Sequence, residues 1–147
     1  METILPEIGE TAHALRKAFT RRAAALGVTG AQWKVLFKLS RKPGLRQVEL
    51  ADMLDIEPIT LTRILDRLQE AGLIERSSDP ADRRAWRLHV TAKAKPLVAK
   101  LRAIADEMTA DAFAGIDPKD IQTTRQVLAL VRQRAGQFAV ISKAANQ

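Results

Sequence analysis

Two short stretches of this chain concentrate side chains suited to recognition chemistry. Thr60, Thr62, Arg63 and Arg67 recur within one segment, and Arg83, Arg84 and Arg87 crowd into a second. A threonine hydroxyl donates or accepts a hydrogen bond, and its methyl packs on a thymine methyl. An arginine fork grips a guanine edge or a phosphate through two parallel bonds. Bond-making chemistry has no comparable constellation. The sequence has no cysteine and no tyrosine, and its two histidines, His13 and His89, stand alone without a His-x-x-x-His spacing, a paired carboxylate or a glycine-rich phosphate loop. A nucleophile with its base, or a metal with its ligands, needs such partners. The sequence therefore reads as a non-enzyme with no metal and no cofactor.

The elements that must position these groups follow from hydrophobic spacing. Leu50, Ala51 and Leu54 fall on one helical face, and Leu61, Ile64, Leu65 and Leu68 fall on another. Between them Asp55-Ile56-Glu57 is too short for an independent loop, and Pro58 suits the first turn of a helix, where its missing N–H is not needed. Two helices joined by so tight a turn form a helix-turn-helix. With the apolar face inward, the second helix turns Pro58, Ile59, Thr60, Thr62, Arg63 and Arg67 outward. Gly72 then stops that helix, and Leu73 to Arg76 reads as a short strand. Ser77 to Arg84 is turn chemistry ending in two arginines. From Ala85 to Val90 the residues alternate, with Trp86, Leu88 and Val90 on one side and Arg87 and His89 on the other. This is a hairpin with a basic tip, a wing beside the helix-turn-helix.

On either side of this module the pattern is helical. A first helix spans residues 4 to about 26, with Leu15, Ala18, Phe19 and Ala23 as its apolar stripe, and Gly27 ends it. Its Arg16, Lys17, Arg21 and Arg22 form either a solvated face or the rim of an anion-binding pocket or phosphate track. Thr29 and Gln32 make a capping box for the next helix. There Trp33 and Phe37 share a face, as core or as the lining of an aromatic-ligand pocket. The third helix begins at Arg46-Gln47, yet arginine cannot cap a helix as serine or threonine does. Either the start is displaced or Arg46 touches a phosphate. Thr91 is the expected cap of a long helix to about Ala114, with Leu97, Leu101, Ile104 and Met108 at regular spacing, and Gly115 closes it. Asp117-Pro118 opens the last helix, expected to end near Ala135-Gly136 and to fray from Ser142 to Gln147. The terminal helices, 1–28 and 92–140, carry more apolar surface than the winged region 29–91 can cover. They are expected to pair with a second copy of the chain. The fold class is mainly α with a small β-wing: a winged helix-turn-helix plus a helical dimerisation region, all within one domain over 1–147.

Composition sets the outer bounds. At 147 residues and 46% hydrophobic the chain supports a substantial core. The absence of cysteine excludes disulfides and thiol chemistry and suits a reducing compartment. No signal-peptide pattern opens the chain and no apolar run is long enough to span a membrane, so a cytoplasmic protein is expected. The net charge of +7 points to an anionic partner. Its distribution is uneven, however. Residues 45–90 hold 7 Lys/Arg against 9 Asp/Glu, while 1–44 hold 8 against 3 and 91–147 hold 9 against 5. The winged segment is net acidic, so any nucleic-acid contact rests on a few well-placed arginines. A winged helix serving only protein–protein association is the rival reading. The outward Thr-x-Thr-Arg and the paired arginines speak against it, because an apolar partner surface would not need them.

In order and spacing, Leu50-Ala51-x-x-Leu54-x-Ile56, Thr60-Leu61-Thr62-Arg63-x-Leu65-Asp66-x-Leu68, Gly72-Leu73-Ile74-x-Arg76, Asp79-Pro80-x-Asp82-Arg83-Arg84 and Leu88-x-Val90-Thr91-x-Lys93-Ala94 resemble the MarR family of winged helix-turn-helix transcription regulators, in particular its SlyA-like branch. The resemblance spans almost the whole chain. It implies a homodimer that binds pseudo-palindromic double-stranded DNA, with Arg63 in the recognition helix, Arg84 inserted into a minor groove and Asp82 orienting an arginine. It also implies a nucleoid-associated repressor or counter-silencer released by a small anionic aromatic effector. For that effector His13, Arg16, Trp33 and Phe37 are the candidate contacts. The expected DNA contacts are Arg46, Pro58, Ile59, Thr60, Thr62, Arg63, Arg67, Arg83, Arg84 and Arg87.

Overall fold

The computed structural model describes residues 3–145, with side chains described through residue 138. Within it the chain divides into two compact units, Met1–Met108 and Thr109–Gln147.

The first unit opens with α1, Ile4–Ala23, which ends in a 3-10 turn over Ala24–Leu26. Gly27, at φ 76°, reverses the chain there. Thr29 accepts from the Gln32 amide at 3.2 Å while Gln32 Oε1 accepts from the Thr29 amide at 3.0 Å. This expected capping box starts α2, Gly30–Arg41. A two-residue strand β1, Leu45–Arg46, leads directly into α3, Gln47–Leu54. The turn to α4, Pro58–Glu70, passes through Asp55 in the left-handed region at φ 51°. A short aspartate tolerates that conformation better than most side chains. Pro58 stands at the first helical position, as its spacing predicts.

The wing is longer and its turn tighter than the composition suggests. Strand β2 runs over Ile74–Asp79 and β3 over Asp82–Val90, so only Pro80-Ala81 remain at the tip. Ser77 to Asp79 and Asp82 to Arg84, expected as loop, are strand. The sheet order is β1-β3-β2, with Leu45 opposite Leu88 and Arg76 opposite Leu88 on the other side. A register irregularity at Ser78/Asp79 turns the hairpin end. β1 was invisible to pattern reading because two residues show no periodicity.

After Thr91 the chain makes a 3-10 turn, Ala92–Ala94, before α5, Lys95–Ala112. Thr91 is not the expected side-chain cap. Its Oγ1 instead donates to the Gly72 carbonyl at 2.6 Å, tying the end of the wing to the end of α4.

One apolar core binds the first unit together. α2 contributes Val35, Leu36 and Leu39, α3 contributes Leu50 and Ala51, and α4 contributes Leu61, Leu65 and Leu68. Ile74 and Leu88 from the wing and Val98 and Leu101 from α5 close it. A buried leucine side chain contributes about 1.5–3 kcal/mol relative to exposure. The α4 leucines thereby fix which face of α4 remains outside.

The second unit is dominated by α6, Pro118–Ala145, a helix of 28 residues. Asp117 Oδ1 accepts from the Lys119 amide at 2.9 Å, the expected start. The helix does not stop near Ala135-Gly136. It continues through Gly136 to Ala145, so that Ser142 to Ala145 of the expected tail are helical, while Asn146 and Gln147 lie outside the described residues. A glycine in a helix interior costs only about 1 kcal/mol, too little to end a helix whose other residues favour it. Val127, Leu130, Val131 and Phe138 are exposed along it.

Candidate nucleic-acid interface

The outer face of α4 carries the residues that the leucine spacing assigns to it. Pro58, Ile59, Thr60, Thr62, Arg63 and Arg67 are all exposed, Ile59 at 71%. Their side chains are not equivalent. Thr62 Oγ1 accepts from Gln47 Nε2 at 2.8 Å and donates to the Pro58 carbonyl at 3.0 Å. Its hydroxyl is thus spent on joining the first residue of α3 to α4. Thr60 and Arg63 stand on the same exposed face, with hydrogen-bonding groups suited to a base edge. Gln47 carries no local signal for this role, because its partner lies 15 positions away.

In the wing, Arg83 and Arg84 are exposed beside the turn. Asp82 Oδ1 accepts from the Arg84 amide at 3.0 Å, fixing the backbone that presents the arginine. The ion-pairing part expected of Asp82 belongs to Asp79 instead. Asp79 is 2% exposed and is the only buried charged residue among those described. Its Oδ2 lies 2.9 Å from Arg46 Nε, 2.8 Å from Arg46 Nη2 and 3.3 Å from Arg87 Nη2. Its Oδ1 accepts from the Ala81 amide at 2.9 Å, which closes the hairpin turn. That amide holds the Asp79 carboxyl below the ordinary carboxylate range, the Arg46 and Arg87 guanidinium groups add to the effect, and burial opposes it.

The question posed by an arginine at the start of α3 is thereby answered. The helix does begin there, with Arg46 as the preceding residue. Glu49 Oε1 accepts from the Arg46 amide at 3.0 Å, so the cap comes from the glutamate and not from the arginine. The Arg46 side chain is free to cross to the wing. Arg87 likewise turns inward, and its Nη1 donates to the Gly44 carbonyl at 3.1 Å. Both arginines, expected as DNA contacts, are first of all ligands of Asp79. One carboxylate answers two guanidinium groups, so the trio remains cationic.

A cleft of about 350 Å³ separates the start of α3 from the wing, bordered by Arg46, Gln47, Val48, Arg84 and Trp86. Trp86 is 48% exposed. It shares a strand face with buried Leu88, as the alternation predicts, but the hairpin extends past the core and leaves the indole outside.

None of the cavities described within the single chain is lined by the four candidate effector contacts together. Trp33 and Phe37 pack with Phe19, at ring-centroid distances of 4.6 Å for Phe19–Trp33 and 5.8 Å for Trp33–Phe37. Trp33 Nε1 donates to Thr20 Oγ1 at 3.0 Å, so its polar atom is satisfied within the α1–α2 contact. His13 and Arg16 are exposed on α1, away from the clefts of the first unit. Two clefts lie elsewhere in the first unit. One, of about 430 Å³, meets Phe37, Arg41, Arg102 and Ala105. The other, of about 370 Å³, has Leu39, Pro43, Val90 and Val98 as apolar walls and His89, Lys95 and Arg102 as basic groups. Arg102 Nη2 donates to Ser40 Oγ at 2.7 Å at its edge. Sequence spacing could not bring the end of α2, the end of β3 and the first half of α5 together.

Among the described residues no group of three or more His, Cys, Asp or Glu side chains could hold a metal ion. None of their helices is long and apolar enough to cross a membrane.

Residues 28–86 match the model of the MarR family. That segment runs from the residues before α2 to the middle of β3, and so contains the helix-turn-helix and most of the wing. Solved structures extend the similarity to nearly the whole chain. A MarR transcriptional regulator from Methanosarcina mazei Go1 superposes with a TM-score of 0.84 at 25% identity, over 94% of this chain and 99% of that one. The transcriptional regulator PA3341 is 34% identical with a TM-score of 0.81, over 90% of this chain and 97% of that one. A MarR family regulator from Listeria monocytogenes, solved in complex with a 26mer DNA, matches with a TM-score of 0.80 at 25% identity, over 91% of this chain and 89% of that one.

Proposed function

The chain belongs to the MarR family of transcription regulators, and from that premise we propose that it is a homodimer that reads a pseudo-palindromic double-stranded operator. The observation that carries this reading is the shared exposure of Thr60, Arg63 and Arg67 on α4 and of Arg83 and Arg84 on the wing, all within one unit. The α4 side chains enter the major groove, and a wing arginine enters the adjacent minor groove, where narrowing strengthens the negative potential. The DNA-bound Listeria relative supports double-stranded DNA as the partner.

Pairing of two copies is supported by the apolar side chains left exposed on the terminal helices. These are Ile4, Leu5 and Leu15 on α1, and Val127, Leu130, Val131 and Phe138 on α6. We assign residues 1–28 and 92–140 to the dimer contact and 29–91 to the DNA. A two-fold dimer sets its half-sites about 34 Å apart, one turn of B-DNA. The protein acts in the cytoplasm on the nucleoid, as a repressor released by a small anionic aromatic effector. Of the three clefts described in the first unit, the one with apolar walls and His89, Lys95 and Arg102 suits such a molecule better than the dispersed His13, Arg16, Trp33 and Phe37.

The experiment is a selection of random duplexes by the purified protein at two salt concentrations. Enrichment of a pseudo-palindrome with half-sites one turn apart, bound more weakly at high salt, is expected. A second reading, a module that binds only protein, draws on the exposure of Val48, Ile59 and Trp86 around the same surface. No enrichment, together with salt-independent capture of a protein partner, would replace the first reading with the second.

A further inference from the structure

Asp79 is the one buried charged residue among those described. A carboxylate at 2% exposure is costly unless it is paired and hydrogen-bonded. Here every one of its partners belongs to a different part of the recognition surface. Arg46 precedes α3, Arg87 sits on β3, and the Ala81 amide lies in the hairpin turn. The bonds are short, at 2.8 and 2.9 Å to Arg46 and 2.9 Å from Ala81, with Arg87 at 3.3 Å. From Arg46 the chain of contacts continues into α3, whose first residue, Gln47, bonds Thr62 on α4. Ala81 is followed by Asp82, whose Oδ1 holds the Arg84 amide. β1 contributes only two residues, and Arg76 of β2, which meets Asp66 and Gln69 of α4, anchors the base of the wing and not its tip.

We infer that Asp79 is a positioning residue that sets the wing arginines at a fixed distance and angle from the exposed face of α4. It touches no nucleic acid itself. Its role is to make one rigid reader of two separate elements, so that a duplex must present the right base edges and the right groove width at once. Arg46 takes part as the other end of the tie. This inference rests on the DNA-binding reading for its functional consequence, but the tie itself can be tested without DNA.

The test is a double-mutant cycle in the full-length protein, using a duplex selected by the wild type and a random duplex of the same length. Asp79→Asn keeps the shape and removes the charge. Arg46→Ser removes the other end and supplies a good helix cap. Each single variant is expected to bind the selected duplex about tenfold more weakly, the scale of one good specific contact, while in Asp79→Asn the affinity for the random duplex stays unchanged. The double variant should then be no worse than either single one, because the two residues act as a unit. Additive losses would mean that Arg46 contacts DNA independently, and would overturn the inference. Wild-type selectivity in Asp79→Asn would overturn it as well. Amide hydrogen exchange of the free protein gives a second readout. In Arg46→Ser the amides of Ala81 and Arg84 should exchange faster while those of α2 do not, and an unchanged wing would overturn the tie even if Asp79→Asn failed to fold. If the wild type selects no duplex, the DNA-binding reading fails, and the exchange measurement still decides the tie.

Discussion

Arg76 Nη1, on β2, stands 2.9 Å from Asp66 Oδ1, on α4. The same nitrogen donates to Gln69 Oε1 at 2.6 Å. The arginine side chain is only 15% exposed whereas Asp66 is half exposed, so the guanidinium covers the joint between helix and strand while its partner remains wetted. Arg76→Ala should therefore cost roughly 1 kcal/mol of stability, more through lost packing of the side-chain stem than through lost charge. Chemical denaturation of both proteins measures it. A loss that disappears at high salt would mean that the charge, not the packing, was responsible.

Arg84→Ala should weaken binding to a selected duplex by about 1–3 kcal/mol. The side chain is exposed, and Asp82 holds its backbone amide, so the truncation removes a contact without disturbing the turn. Fluorescence anisotropy on a labelled duplex reads it. Wild-type affinity in the variant would remove the wing from the recognition surface.

Arg63→Ala should cost a similar amount, about 1–3 kcal/mol, and in addition relax the preference at one base position. Thr60 and Thr62 should behave differently from one another. The Thr62 hydroxyl is already engaged by Gln47 and Pro58, while Thr60 stands exposed on the reading face. Thr60→Val should change base preference with little effect on stability. Thr62→Val should lower stability by roughly 1 kcal/mol, the net worth of a typical hydrogen bond, with little effect on preference. Identical behaviour of the two variants in selection and unfolding experiments would refute the distinction.

The depressed carboxyl of Asp79 implies a defined acid response. A group whose folded value lies below its unfolded value contributes stability that is complete above the unfolded value, about 3.9 for aspartate, and is lost as pH falls through the folded one. Wing-tip amide protection should thus be flat across neutral and mildly acidic pH and should decline only in strong acid. Asp79→Asn should abolish that part of the acid response. A wing that loosens between neutrality and mild acid would point to another titrating group.

Much of this architecture is legible in local sequence. Leucine spacing alone orients α4, and Pro58, Gly72 and the Asp117-Pro118 pair mark helix ends by chemistry that acts within one turn. What escaped has a common physical character. Asp79 looks like an ordinary turn aspartate until the fold brings Arg46 to it from 33 positions away. Thr91 looks like a helix cap until Gly72 offers a carbonyl from 19 positions away. Trp33 and Phe37 read equally as core or pocket, and only the arrival of Phe19 chooses. The end of α6 was misplaced for a different reason, since one glycine is a weak stop inside an otherwise favourable helix.

The strand order β1-β3-β2 has a final consequence. β1 covers β3 only at Arg87 and Leu88, so the hairpin has two open edges: β2, which beyond Ile74 presents Glu75, Arg76, Ser77 and Ser78, and the outer part of β3, which presents Asp82, Arg83 and Arg84. Charged and hydroxylated side chains make a poor template for a further strand. The wing is therefore self-limiting. It can project far from the core and carry exposed tryptophan without inviting sheet-to-sheet stacking between molecules, so the protein should tolerate high local concentration without forming fibres.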